Sequence, residues 1–113
     1  MMNFEKELTG KPVADIPAKA DPNRCPSHPG ELIADLLEDA GKSKMTVAEM
    51  LGISRQQFHS ILAGRKPVTP DMAARLGKLF GNGPGLWLRM QANFDAWHAA
   101  REVDVSAIPY IAA

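Results

Sequence analysis

The stretch that most restricts what this chain can fold into is Met45 to Lys66, which reads MTVAEMLGISRQQFHSILAGRK. It holds two short helical patterns joined at Gly52-Ile53. Val47, Ala48 and Leu51 share one face of the first, and Phe58, Ile61 and Leu62 recur at i, i+3 and i+4 in the second. Ser54 followed three residues later by Gln57 is a capping-box pattern, so a new helix starts at Ser54. Gly64 after Ala63 supplies the left-handed residue that stops it. Two helices joined by a tight turn containing Gly make a helix-turn-helix, and Ala48 is small enough to let them approach. The second helix leaves Arg55, Gln56, Gln57, His59 and Ser60 exposed, side chains that donate to base edges and phosphates. The pattern points to DNA.

The distribution of charge supports this more than the total does. The 113 residues carry no formal net charge. Between Gly41 and Pro67, however, Lys42, Lys44, Arg55, Arg65 and Lys66 stand against Glu49 alone. Glu31, Asp35, Glu38 and Asp39 balance that excess from the preceding helix, so a basic face and an acidic face are expected on one domain. Cys25 is the sole cysteine and cannot form an internal disulfide, while His28, His59 and His98 are scattered. No spacing suggests a metal or cofactor. The chain shows no nucleophile elbow, no phosphate-cradling glycine loop and no clustered carboxylates and histidines, so no catalytic residue is assigned and an enzyme is not expected. With neither a signal pattern nor a membrane-length apolar run, the expected location is the cytoplasm.

Taken in order, residues 1–27 form an arm in which Phe4, Leu8, Val13 and Ile16 are irregularly spaced. Pro12, Pro17, Pro22 and Pro26 prevent a long helix there, although residues 3–9 suit a short one. The domain spans 28–102. His28-Pro29-Gly30-Glu31 opens a helix with His28 as N-cap, and Leu32, Ile33, Leu36, Leu37 and Ala40 give its buried stripe up to Gly41. The next helix is capped by Ser43 or by the Thr46/Glu49 box, with Ser43 preferred. Beyond the basic turn Gly64-Arg65-Lys66-Pro67, Thr69-Pro70-Asp71 starts a helix that Gly81 ends. Pro84 opens the last helix, where Trp87, Met90, Phe94 and Trp97 form a heptad-like seam. Part of that seam is expected on the core and part in a subunit interface. Residues 103–113 are a mostly apolar tail that either lies back on the domain or adds an edge strand.

The motifs HPGELI, AEMLGISR, ILAGRKPVTPDMAARL, LFG and WLRMQANFD, in that order, resemble the HigA family of antitoxins within the Xre/Cro helix-turn-helix group. The resemblance runs from His28 to about His98. It departs from the family's pattern at Lys42, at Ala96 and in the length of the arm. It implies an all-α, five-helix, lambda-repressor-like domain, to which this chain adds an N-terminal extended arm and a short C-terminal tail. It also implies a homodimer that binds palindromic double-stranded operator DNA, represses its own operon and neutralises a HigB-like toxin, a small basic mRNA-cleaving ribonuclease of the RelE type. Carried onto this chain, Ser54 meets a phosphate at the helix start and Arg55 and Gln56 read base edges. His59 and Ser60 reach a base or phosphate, and Arg65 and Lys66 clamp the backbone. A twofold operator requires two recognition helices, which assigns Trp87, Met90, Phe94 and Trp97 to the dimer interface. Glu31, Asp35 and Glu38 share one face of the first helix. With Phe4 and Leu8 of the arm they are the expected toxin-binding surface. The alternatives are a stand-alone Xre-type repressor without a toxin and a non-DNA interaction module that reuses the fold.

Overall fold

The computed structural model describes residues 23–112, and Phe4, Leu8 and the rest of the arm before Asn23 lie outside them. The described residues form five helices: α1 (Pro29–Ala40), α2 (Lys44–Leu51), α3 (Arg55–Leu62), α4 (Pro70–Phe80) and α5 (Gly85–Glu102). No strand occurs among them.

Local chemistry sets most of the boundaries. Ser43 Oγ accepts the Thr46 N–H, so α2 starts from Ser43 and not from the Thr46/Glu49 box. Thr69 Oγ1 accepts the Met72 N–H, with Pro70 at the first position of α4. The turn between α2 and α3 runs through Gly52 at φ 76°, a conformation that costs an L side chain roughly 1 kcal/mol. There the Ile53 N–H closes onto the Ala48 carbonyl at 3.0 Å. Pro84 is the residue before α5 rather than its first, and no side chain caps that end.

In the packing, α1 lies on α3 and α5, α2 on α3 and α4, and α4 on α5. Ile33, Leu37, Val47, Ala48, Leu51, Phe58, Ile61, Val68, Met72, Ala73, Leu76 and Trp87 make one continuous core. The core therefore reaches from α1 through the helix-turn-helix to α5. It fixes the angle at which α3 is presented.

Two expectations are corrected here. Trp87 is 0% exposed, lies against Phe80 at 5.7 Å between ring centroids, and donates its Nε1–H to Asn82 Oδ1 at 3.1 Å. Its whole surface is spent on its own domain, which leaves nothing for a second subunit. The tail adopts neither expected form. Val103, Val105, Ile108, Tyr110 and Ile111 are all exposed, Tyr110 at 90%. No helix among the described residues is long and apolar enough to cross a membrane.

Candidate nucleic-acid interface

Ser54 sits extended at the start of α3, and its Oγ accepts the Gln57 N–H at 3.0 Å. Gln57 thus serves the cap through its backbone. Phe58 and Ile61, 1% and 3% exposed, anchor the helix to the core. The opposite side presents Arg55, Gln56, Gln57 and His59 to solvent, while Ser60 is half-buried. Among the described residues no ion pair ties Arg55 to Glu49, so the guanidinium stands free at the N-terminal end of the helix. This arrangement offers planar, multidentate donors on a rigid base, as direct readout in a major groove requires. Orphan N–H groups at the helix start sit beside Ser54, suited to a phosphate.

The basic turn folds back under α3. Arg65 and Lys66 N–H groups both donate to the Ser60 carbonyl, at 2.9 and 3.2 Å. Arg65 and Lys66 are exposed in the turn that leaves α3. The seven residues expected to contact DNA, Ser54, Arg55, Gln56, His59, Ser60, Arg65 and Lys66, thus lie on one helix, its N-cap and the loop that leaves it.

Three side chains brace this region; sequence reasoning missed two of them, Arg75 and Gln91, and placed His28 only as a cap. Arg75 of α4 donates from Nη1 to the Leu51 carbonyl at 2.7 Å and from Nε to Asp71 at 2.6 Å, tying α4 to the end of α2 beside the Gly52 turn. Gln91 of α5 is buried, with Oε1 accepting the Val68 N–H at 2.7 Å and Nε2 donating to Asp95 at 2.9 Å. His28 is buried as the N-cap of α1, its Nδ1 accepting the Gly30 N–H at 2.9 Å. Burial lowers the His28 pKa despite opposing contributions from the Lys66 backbone, Asp95 and Glu31. A neutral ring with Nδ1 bare is the form this cap needs.

The remaining expected residues separate into two regions. Glu31, Asp35 and Glu38 are all exposed on α1. Met90, Phe94 and Trp97 are half-buried on α5. Phe94 meets the His28 ring edge-on at 5.0 Å, and the Arg101 guanidinium lies 3.8 Å from the Trp97 ring centroid. One grouping was not anticipated. Cys25 Sγ lies 3.4 Å from His98 Nε2, and His98 Nδ1 lies 2.8 Å from Glu102 Oε2, so the segment before α1 is fastened to α5. Among the described residues no set of three or more His, Cys, Asp or Glu has a metal-holding arrangement.

Residues 30–86 match the family model described as a helix-turn-helix domain. The chain is 30% identical over 81 residues to the HTH-type transcriptional regulator YddM of Escherichia coli K12, covering 72% of this chain and 86% of that protein. Among solved structures, an addiction module antidote protein of the HigA family from Coxiella burnetii is 33% identical, with a TM-score of 0.67 over 77% of this chain and all of that one. The antitoxin GraA in complex with its operator is 29% identical, with a TM-score of 0.71 over 80% of this chain and 95% of that one. These relatives are regulators or antitoxins, not enzymes. An Xre-type helix-turn-helix, matched over half of the chain by the domain model and similar to antitoxins over 77% and 80% of it, places the chain in the HigA-like branch of the helix-turn-helix family.

Proposed function

We propose that this protein is the antitoxin of a toxin–antitoxin pair and binds its operator as a homodimer, with α3 in the major groove and Arg65 and Lys66 on the flanking phosphates. The observation that carries the reading is the free, solvent-facing Arg55–Gln56 pair on a helix whose other side is locked into the core. Arg pairs bidentately with guanine and Gln with adenine in the major groove. The antitoxin GraA, a protein of the same fold, has been solved in complex with its operator, which supports operator DNA as the partner. The test separates readout from grip. Arg55→Ala or Gln56→Ala is expected to cost about 1–3 kcal/mol of discrimination between operator and random duplex. Lys66→Ala weakens both duplexes alike and flattens the salt dependence by about one unit. Equal losses on both duplexes for Arg55→Ala remove Arg55 from the reading surface.

Dimerisation follows from the twofold operator. With Trp87 withdrawn into the core, the interface is carried by Met90, Phe94 and Trp97 on α5, continued by the exposed apolar tail. The toxin is met on the other charged face. Glu31, Asp35 and Glu38 attract a protein that must be positive where it grips RNA, and Phe4 and Leu8 of the arm add apolar burial. Asp35→Lys with Glu38→Lys is expected to slow association with the toxin by tenfold or more at low salt, roughly the scale of electrostatic steering. Unchanged association kinetics measured by stopped flow would move the toxin to another surface. The second reading, a stand-alone repressor, is favoured by the regulator YddM, and a neighbouring reading frame encoding a small basic protein decides against it.

A further inference from the structure

His28 and Gln91, 4% and 6% exposed, are the buried polar side chains among the described residues. They come from different helices, 63 positions apart in sequence, and both end on the same loop. Gln91 Oε1 accepts the Val68 N–H at 2.7 Å. The His28 ring accepts from Gly30 through Nδ1, which leaves its proton on Nε2, and the Lys66 backbone is close enough to oppose the lowering of its pKa. The ring lies beside Gly64, where an added Cβ would sit 3.7 Å from its Cγ. Between these holds, Arg65 and Lys66 are fastened to the Ser60 carbonyl.

A buried polar group lowers stability unless it is bonded, and an apolar residue of similar shape fills the same space without that demand. Two buried polar side chains converging on one loop therefore need a reason beyond packing. The loop supplies it, since its exposed side chains are Arg65 and Lys66. A cation on a freely moving loop loses more conformational entropy on reaching a phosphate than one whose backbone is already fixed.

We propose that His28 and Gln91 are positioning residues for DNA binding, fixing the Gly64–Val68 loop from two sides so that Arg65 and Lys66 meet the phosphate backbone in register with α3. The proposal rests on the reading of α3 and this loop as the DNA surface. Gln91 is itself set by Asp95, to which its Nε2 donates. The charged groups acting on His28 are Asp95 on α5 and Glu31 on α1, while Lys66 acts through its backbone.

The experiment is a set of anisotropy titrations at several salt concentrations, using one duplex selected from a random pool and one shuffled duplex. Gln91→Met keeps the side-chain length and removes the acceptor. His28→Asn keeps an N-cap acceptor for Gly30 but lacks the ring that lies beside Gly64 and the Lys66 backbone. Each is expected to lose affinity for both duplexes by about tenfold, and to flatten the salt dependence by about one unit per cation released. The ratio between the two duplexes should stay at its wild-type value, because Arg55 and Gln56 are untouched. Gln91→Glu combined with Asp95→Asn conserves net charge, keeps an acceptor under the Val68 N–H and reverses the 91–95 bond. That pair is expected to restore the wild-type salt dependence, which a merely structural role for Gln91 does not require.

If either single variant fails to fold, the other decides. A native salt dependence in the folded variants, or failure of the paired substitution to restore it, overturns the proposal. Arg65→Ala with Lys66→Ala separates it from the reading beneath it. No effect of that double variant on the salt dependence removes the loop from the DNA surface. A large effect there, with none from His28 or Gln91, defeats the positioning role alone.

Discussion

Replacing Gly30 with alanine is expected to destabilise the domain by about 3 kcal/mol or more, at the upper end of what overpacking costs. The new Cβ would stand 2.3 Å from the Ile61 carbonyl oxygen and 2.8 Å from that of Leu62. Both atoms are backbone at the last turn of α3, so no side chain can swing aside. Relief requires α1 to lift from the recognition helix, which opens the contact of Ile33 and Ile61 with the shared core. For a domain of this size each kcal/mol lowers Tm by roughly 4–8 °C, so a fall of more than about 12 °C is expected in a thermal melt. Gly77→Ala should behave alike, because its Cβ would meet the Gly83 backbone at 2.3 Å. Melting of Gly30→Ala within a few degrees of wild type contradicts the close approach of α1 to α3.

Trp87→Ala carries the second large effect, about 3–5 kcal/mol for removing a fully buried Trp. The ring is 0% exposed, packs on Phe80 and has its N–H satisfied by Asn82. Denaturant titration at several protein concentrations measures this effect and also identifies its origin. A core residue destabilises the subunit fold itself, so the variant is expected to lose secondary structure at every concentration. An interface residue would instead leave a folded monomer that dimerises more weakly. A folded, monomeric Trp87→Ala protein returns Trp87 to the subunit interface.

These two positions also show what can be read from sequence. The caps at His28, Ser43, Ser54 and Thr69 each involve an acceptor and an N–H two or three residues apart, and each forms as expected. Such signals are local and survive translation into structure. The exposed face of α3 was legible for the same reason, since Phe58 and Ile61 mark its buried side.

The misread features depend on what covers a surface. Periodicity identified Trp87 as part of an apolar seam, but it cannot distinguish cover by Phe80 and Asn82 of the same chain from cover by a second copy. The tail reads like an edge strand from composition, yet no described strand exists for it to join. Nor does sequence announce contacts between distant residues. Arg75 with the Leu51 carbonyl, Gln91 with Val68 and Cys25 with His98 are joined only after five helices have packed. Gly30 and Gly77 read as ordinary helical residues until the backbones they admit are seen.

The central claim is that α3 and its basic loop read a twofold operator, and selection from a random pool of DNA duplexes tests it most directly. The full chain at physiological salt is expected to enrich one palindromic sequence whose half-sites lie about 34 Å apart, one helical turn from centre to centre. It should bind that sequence at least about 10³-fold more tightly than a shuffled duplex. Enrichment of no sequence, or equal affinity for selected and shuffled duplexes at every salt concentration, would contradict it.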